Sequence, residues 1–194
     1  MYTKSWILTS LLALTATATP IKSNNTLVSR DSNTFTINVW NNCPWTKQVA
    51  LYQITSSFQM LERSHPTNIK PKQMLKIAAP FKDLGMRLSG HAEWGTAGQW
   101  KTQALFEFGY SQYAGKDGTA YNLSVMEDSD KDIGIGAYPI PNGKGSKQCL
   151  SKTCFPWECP LDQGWTNPDQ TKDGSPADTV CYFGKTDFKV VFCP

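Results

Sequence analysis

The sequence predicts an all-β protein: a β-sandwich with a short, loop-rich C-terminal segment stapled by disulfides. Three observations predict it. Short apolar runs recur between turn signals, and no run of a dozen residues carries the 3.6 period of an amphipathic helix. Both ends of the mature chain hold an alternating apolar run followed by cysteine and proline, TFTINVWNNCP at 34–44 and FKVVFCP at 188–194. Six cysteines, an even number, all follow a secretory leader.

The leader occupies residues 1–18. Lys4 gives a basic start, residues 6–14 an apolar centre, and Ala16 and Ala18 an A-x-A cleavage site, in a stretch too short to span a bilayer. Cleavage after Ala18 removes one charged side chain, Lys4, so the formal charge falls from +3 to +2, too little to point to nucleic acid or a membrane surface. No later run is long and apolar enough for a membrane anchor, so the expectation is a secreted product, extracellular or held in a cell wall. Residues 19–33 are polar and patternless, a disordered lead-in or a pro-segment processed at Arg30. Asn24 and Asn122 open glycosylation sequons.

From residue 34 to the end the chain is long enough for one domain with a real core. Phe35, Ile37 and Val39 share one face of the first strand. Further strands are expected at 49–54 (VALYQI), 74–79 (MLKIAA), 86–88, 104–108 (ALFEF), 121–126 (YNLSVM) and 188–192, where Phe188, Val190 and Phe192 oppose Lys189 and Val191. His65-Pro66, Lys70-Pro71, Gly90, Gly95, Gly98 and the Gly115 to Gly118 turn break the runs. Gly134-Ile135-Gly136 is a lone G-x-G and reads as a turn. Past Tyr138, Pro139, Pro141, Gly143 and Gly145 interrupt the backbone, and four cysteines fall between 149 and 181, so disulfides and not a second core are expected to hold this part. Six cysteines alone allow fifteen pairings.

These residues resemble the thaumatin-like family, and most closely its short fungal secreted members. The resemblance covers roughly 34–194 and is patchy between the matched stretches. It rests on VWNNCPW at 39–45, ALFEF at 104–108, AYNLSVME at 120–127, the Cys149 and Cys154 pair, Glu158-Cys159-Pro160, DTVC at 178–181 and the closing FCP. It implies a thaumatin-like β-sandwich with Cys43 bonded to Cys193 and Cys149 to Cys181. Long members bond the counterparts of Cys154 and Cys159 to cysteines absent here, so the resemblance leaves these two to each other. A Cys43–Cys193 bond would remove on the order of 5 kcal/mol of unfolded-state entropy. The chain departs from long members at GHAEWGTAG, 90–98, where their cysteine-bearing signature is missing, and in lacking most of their second region.

Long members have an acidic cleft associated with β-glucan binding, weak glucanase activity in some, and antifungal action. Carried over by position, the cleft glutamate is Glu107, its first aspartate position Asn122, and the following acidic positions Glu127, Asp128 and Asp130, with Asp173 as a later acid and Lys101 near the basic position. Two carboxylates can serve as acid and as nucleophile or base in glycoside cleavage, so a weak endo-β-1,3-glucanase would use Glu107 with Glu127 or Asp128. Against hydrolysis, Asn122 lacks the charge such a pair needs. Alternation also turns Glu107 away from Phe106 and Phe108, as for any solvent-facing strand glutamate.

Flat indole rings stack on sugar faces. Of seven tryptophans, Trp6 leaves with the leader, Trp40 and Trp45 read as packing, and Trp94, Trp100, Trp157 and Trp165 are the ones that could be exposed, Trp94 and Trp100 beside a glycine-rich loop. EDSDKD at 127–132 lacks the glycine and ligand spacing of an EF-hand, and His65 and His91 have no metal spacing, so no metal and no cofactor are expected. No G-x-S-x-G elbow is present. The reading is therefore a secreted, monomeric, non-enzymatic binder of a cell-wall or surface carbohydrate, β-glucan first, in an antimicrobial or host-interaction role. The glucanase and a secreted effector or antigen with a surface-protein partner are its alternatives.

Overall fold

The computed structural model describes residues 33–83, 85–126, 133–141, 149–173 and 177–194. Residues 1–32, with the expected leader and Asn24, and the acidic run with Glu127, Asp128 and Asp130 lie outside the described residues.

The first strand, β1 (Thr34–Asn41), buries every second residue, leaving Phe35, Ile37 and Val39 no more than 1% exposed. Its neighbours are β5 (Gln73–Pro80), antiparallel, and the last strand, β12 (Asp187–Phe192), parallel, with Ile37 opposite Phe188 and Val39 opposite Val190. Strands β9 (Ile135–Ile140) and β10 (Lys152–Cys154) complete a five-stranded sheet in the order β10-β9-β12-β1-β5. The two end runs of the sequence thus lie side by side in the middle of one sheet. Cys43 and Cys193, their Cα atoms 5.0 Å apart, close the chain there.

The facing sheet contains β2 (Lys47–Ile54), β3 (Met60–Glu62), β4 (Thr67–Ile69), β6 (Met86–Ser89), β7 (Leu105–Tyr113), β8 (Lys116–Ser124) and β11 (Thr179–Cys181). Its order is β11-β8-β7-β6-β2-β3, with β4 also on β2. Met86, Leu88, Phe106, Phe108, Tyr121 and Leu123 point inward and meet Phe35 and Phe188. Phe35 and Phe108 pack edge to face at 5.2 Å, and Phe106 meets Phe188 at 5.0 Å. Each buried phenylalanine contributes roughly 1.5–3 kcal/mol of burial free energy.

Among the described residues, helix is confined to a four-residue α-turn, Gly95–Gly98, and two 3-10 turns, Ala92–Trp94 and Pro168–Asp173. The three pairings implied by the family resemblance are present: Cys43–Cys193, Cys149–Cys181 and Cys154–Cys159. The C-terminal segment adds β10 to one sheet and β11 to the other, so it edges both layers of the sandwich. Where a turn was expected, Gly134-Ile135-Gly136 leads into β9. Ile135 and Ala137 fill the core, and Gly136 leaves the space occupied by the Tyr138 side chain, whose hydroxyl oxygen would lie 2.6 Å from an added Cβ.

Candidate functional site

Alternation that sends Phe106 and Phe108 inward sends Glu107 to the outer face of the seven-stranded sheet. The same rule turns Arg87, between Met86 and Leu88, and Asn122, between Tyr121 and Leu123, to that face. Register aligns them: Arg87 is opposite Glu107, and Glu107 opposite Asn122, across three adjacent strands. Arg87 Nη2 donates to Glu107 Oε1 at 2.9 Å, the side chains being 17% and 31% exposed. Arg87 Nη1 donates to the Gln99 carbonyl at 3.2 Å, fixing the guanidinium from behind. Beyond Arg87 the row continues through Tyr52, which is buried with Ala50 and Ala92 and has Met60 packed against it, to Glu62 on β3.

Two recesses open on this face. A cleft of about 570 Å³ runs from Thr55 and Ser56 past Gly109 to Asp178 and Val180. A second, of about 440 Å³, is lined by Trp100, Lys101, Ser124, Met126 and Trp165. Arg87 and Glu107 line both, so the ion pair is their common wall. Asn122 lines the larger cleft, and its Oδ1, shielded from solvent, has no hydrogen-bond partner. An orphaned acceptor of this kind costs roughly 1–3 kcal/mol until a donor reaches it.

The rest of the site is held by the C-terminal segment. Trp165 runs alongside β8, its N–H donating to the Leu123 carbonyl at 2.9 Å and its carbonyl accepting from the Val125 N–H at 2.9 Å. Its indole Nε1 donates to Asp178 Oδ1 at 2.9 Å, joining the rims of the two recesses. A glycine at 164 is required, because a Cβ there would lie 2.8 Å from Cys154 Sγ and 3.1 Å from the Leu123 carbonyl. The Cys154–Cys159 disulfide therefore sets how closely the Trp165 segment approaches the sheet.

The residues expected from sequence divide. Glu107 and Asn122 stand together, while Trp100, 52% exposed, and Lys101 border the second recess. Lys101 is not the cation that holds Glu107. Its Nζ lies 5.3 Å over the Trp94 ring, and Arg87 makes the pair. Trp94 is half-buried and stacked on His91 at 4.1 Å, outside both recesses. Lys47 Nζ, which can only donate, meets His91 Nε2 at 3.3 Å. His91 therefore carries its proton on Nδ1 and donates to Glu93 at 2.7 Å. Asp173 ends the Pro168–Asp173 turn. Trp45, expected to pack, is 41% exposed because it follows the end of β1 in the Cys43 turn. Arg87 and Asp178 were not anticipated, although the alternation that exposed Glu107 applies equally to Arg87 within MRLS.

Among the described residues, no group of three or more histidine, cysteine or acidic side chains could hold a metal, and no helix is long and apolar enough to cross a membrane. Fold and site define a disulfide-closed β-sandwich whose larger sheet presents a grooved polar face. Its three pairings, with both end strands in one sheet, are those that the resemblance in the sequence motifs implies.

No protein-family model matches the chain, and no curated protein matches it in sequence. Among solved structures it is similar to the protein elicitor MoHrip2 from Magnaporthe oryzae, at 19% identity and a TM-score of 0.48, covering 82% of this chain and 99% of that one. It is also similar to the thaumatin-like xylanase inhibitor TLXI, at 11% identity and a TM-score of 0.49, covering 81% and 99%.

Proposed function

We propose that the protein is a secreted, non-enzymatic binder of a cell-wall or surface carbohydrate, with a β-glucan chain lying along the outer face of the seven-stranded sheet. The observation that carries this reading is the row Arg87, Glu107, Asn122, which puts a guanidinium donor, a carboxylate acceptor and an amide in line. Hydroxyl-rich sugar satisfies both kinds of group, and the Trp100 and Trp165 side chains bordering the second recess suit stacking on a pyranose face. Glycoside cleavage needs a carboxyl pair across the bond. Glu107 is engaged by Arg87 and faces an amide, and the cleft's other carboxylate, Asp178, accepts from the Trp165 indole at 2.9 Å. Three disulfides agree with an oxidising, extracellular setting.

The test combines retention on insoluble β-1,3-glucan with an assay for released reducing ends. Retention without release, weakened in Glu107→Gln, supports the binder. Release abolished by that substitution would replace it with the glucanase, and failure of both assays would leave a protein partner.

A further inference from the structure

The opposite face of the sandwich carries a second constellation. Alternation in the five-stranded sheet turns Asn38 and Trp40 of β1, Met74 and Lys76 of β5, Lys189 of β12 and Tyr138 of β9 away from the core. Register places Lys76 opposite Asn38, Asn38 beside Lys189, and Lys189 opposite Tyr138, one polar row across four strands. Lys76 and Lys189 are both exposed and sit two strand spacings apart, about 10 Å. Trp40 supports one of them, with Lys189 Nζ 5.3 Å from its ring centroid. The Tyr138 ring occupies the space above Gly136, and its hydroxyl meets Thr153 Oγ1 at 3.0 Å.

The charge on this face is one-sided. Among the strand residues turned to this face the one carboxylate is Asp187, which is buried and occupied by Lys185 Nζ at 2.8 Å and the Thr36 N–H at 2.8 Å. No described carboxylate pairs with Lys76 or Lys189. Two unneutralised ammonium groups therefore flank an amide, beside a tyrosine ring and threonine hydroxyls. This pattern differs from the groove, where the one guanidinium is already paired.

We propose that this face is a second binding surface, for a polysaccharide bearing carboxylates, in which Lys76 and Lys189 take the carboxylates of alternate sugars, Asn38 meets the sugar between them and Tyr138 the chain beyond Lys189. Charge complementarity selects the occupant. A neutral glucan gains nothing from two exposed ammonium groups, whereas a polyuronate matches them along an extended chain without needing a cavity. The two ligand faces lie on opposite sheets, so one molecule could hold a neutral and an acidic polymer together.

Soluble polygalacturonate is the probe, and its fully methyl-esterified form, which keeps the chain and loses the charge, is the control. Affinity electrophoresis should show retardation by the acid and not by the ester, falling as salt rises. The exposed double variant Lys76→Gln/Lys189→Gln should bind about tenfold more weakly. Lys116→Gln, on the far hairpin, should bind as the unmodified protein does. Equal retardation of the double variant, or equal binding to the ester, would overturn the proposal. So would binding to phosphatidylserine vesicles without binding to polygalacturonate. Polyglutamate bound as tightly as polygalacturonate, with the same loss in the double variant, would overturn the sugar component and leave a peptide site.

Discussion

Glu107 and Asn122 stand directly opposite each other on β7 and β8, so the carboxylate that Arg87 holds at 2.9 Å faces an amide and not a second carboxylate. The carboxylate is clamped by a guanidinium, and the Asn122 amide oxygen, shielded from solvent, has no hydrogen-bond partner.

Removing either partner of the ion pair should have unequal effects. Arg87→Leu leaves a half-buried carboxylate without its cation and is expected to cost about 1–3 kcal/mol. Glu107→Gln preserves an acceptor and should cost less than about 1 kcal/mol while still weakening β-glucan retention. Urea unfolding of both variants reads the difference, and equal losses would mean that the pair does not hold the groove.

Asn122→Asp places a like charge across the ladder from Glu107. Opposed like charges on neighbouring strands destabilise by roughly 0.2–1 kcal/mol. The loss should shrink as salt is raised, because partly exposed charges are screened. A loss that did not change with salt would point to packing instead.

The disulfides should rank by the loop each closes. Cys43–Cys193 spans 150 residues and Cys154–Cys159 spans 5. Paired serine replacements are expected to cost about 5 and about 2 kcal/mol respectively in the chain-entropy model. The small loop should nevertheless matter more for the groove, because Gly164 and Trp165 pack against it. Thermal unfolding and glucan retention together separate the two effects.

Burial pushes the Tyr121 phenol up to about 12 from 10.0, and its hydroxyl donates to the Leu150 carbonyl at 2.6 Å. A raised value in the folded state gives stability that is full below pH 10 and lost as pH rises toward 12. The melting temperature should therefore fall across that window. Tyr121→Phe should flatten the fall after starting about 1 kcal/mol lower, for the lost hydrogen bond.

At the acid end the corresponding group is Asp117, whose carboxyl is held below its usual range by the Tyr110 hydroxyl at 2.7 Å and then by Lys82 at 3.2 Å. A lowered value contributes stability above the ordinary carboxylate pKa of 3.8 that is lost as pH falls through the folded value. Asp117→Asn should remove that part of the acid slope. An unchanged slope would assign acid unfolding to other carboxylates.

Much of the sandwich was legible because period-two alternation encodes burial directly. Phe35, Ile37 and Val39, and Phe188, Val190 and Phe192, needed only that rule. The short strands β3, β4 and β10 were not legible. Three residues hold too little pattern, and pairing with a longer neighbour decides their conformation. Gly136 misled for a related reason, since its freedom serves the Tyr138 ring and not a turn. In the groove, Glu107 and Asn122 were found through family motifs. Asp178 was quoted within DTVC, but its place on the rim depends on a hydrogen bond from Trp165, 13 residues away, that no local spacing announces.

The parallel pairing of β1 with β12 also sets a schedule. Strand β1 is among the first parts of the domain to be made, yet one of its two partners is separated from it by about 150 residues. At 5–20 residues per second, that delay is roughly 8–30 s. Until then one edge of Phe35-Ile37-Val39 has only β5 beside it, with unpaired backbone on the other side. Completion of the central sheet, and of the Cys43–Cys193 bond, is therefore a late event of synthesis. A chain truncated before Asp187 would carry an open edge that chaperones and quality control can recognise.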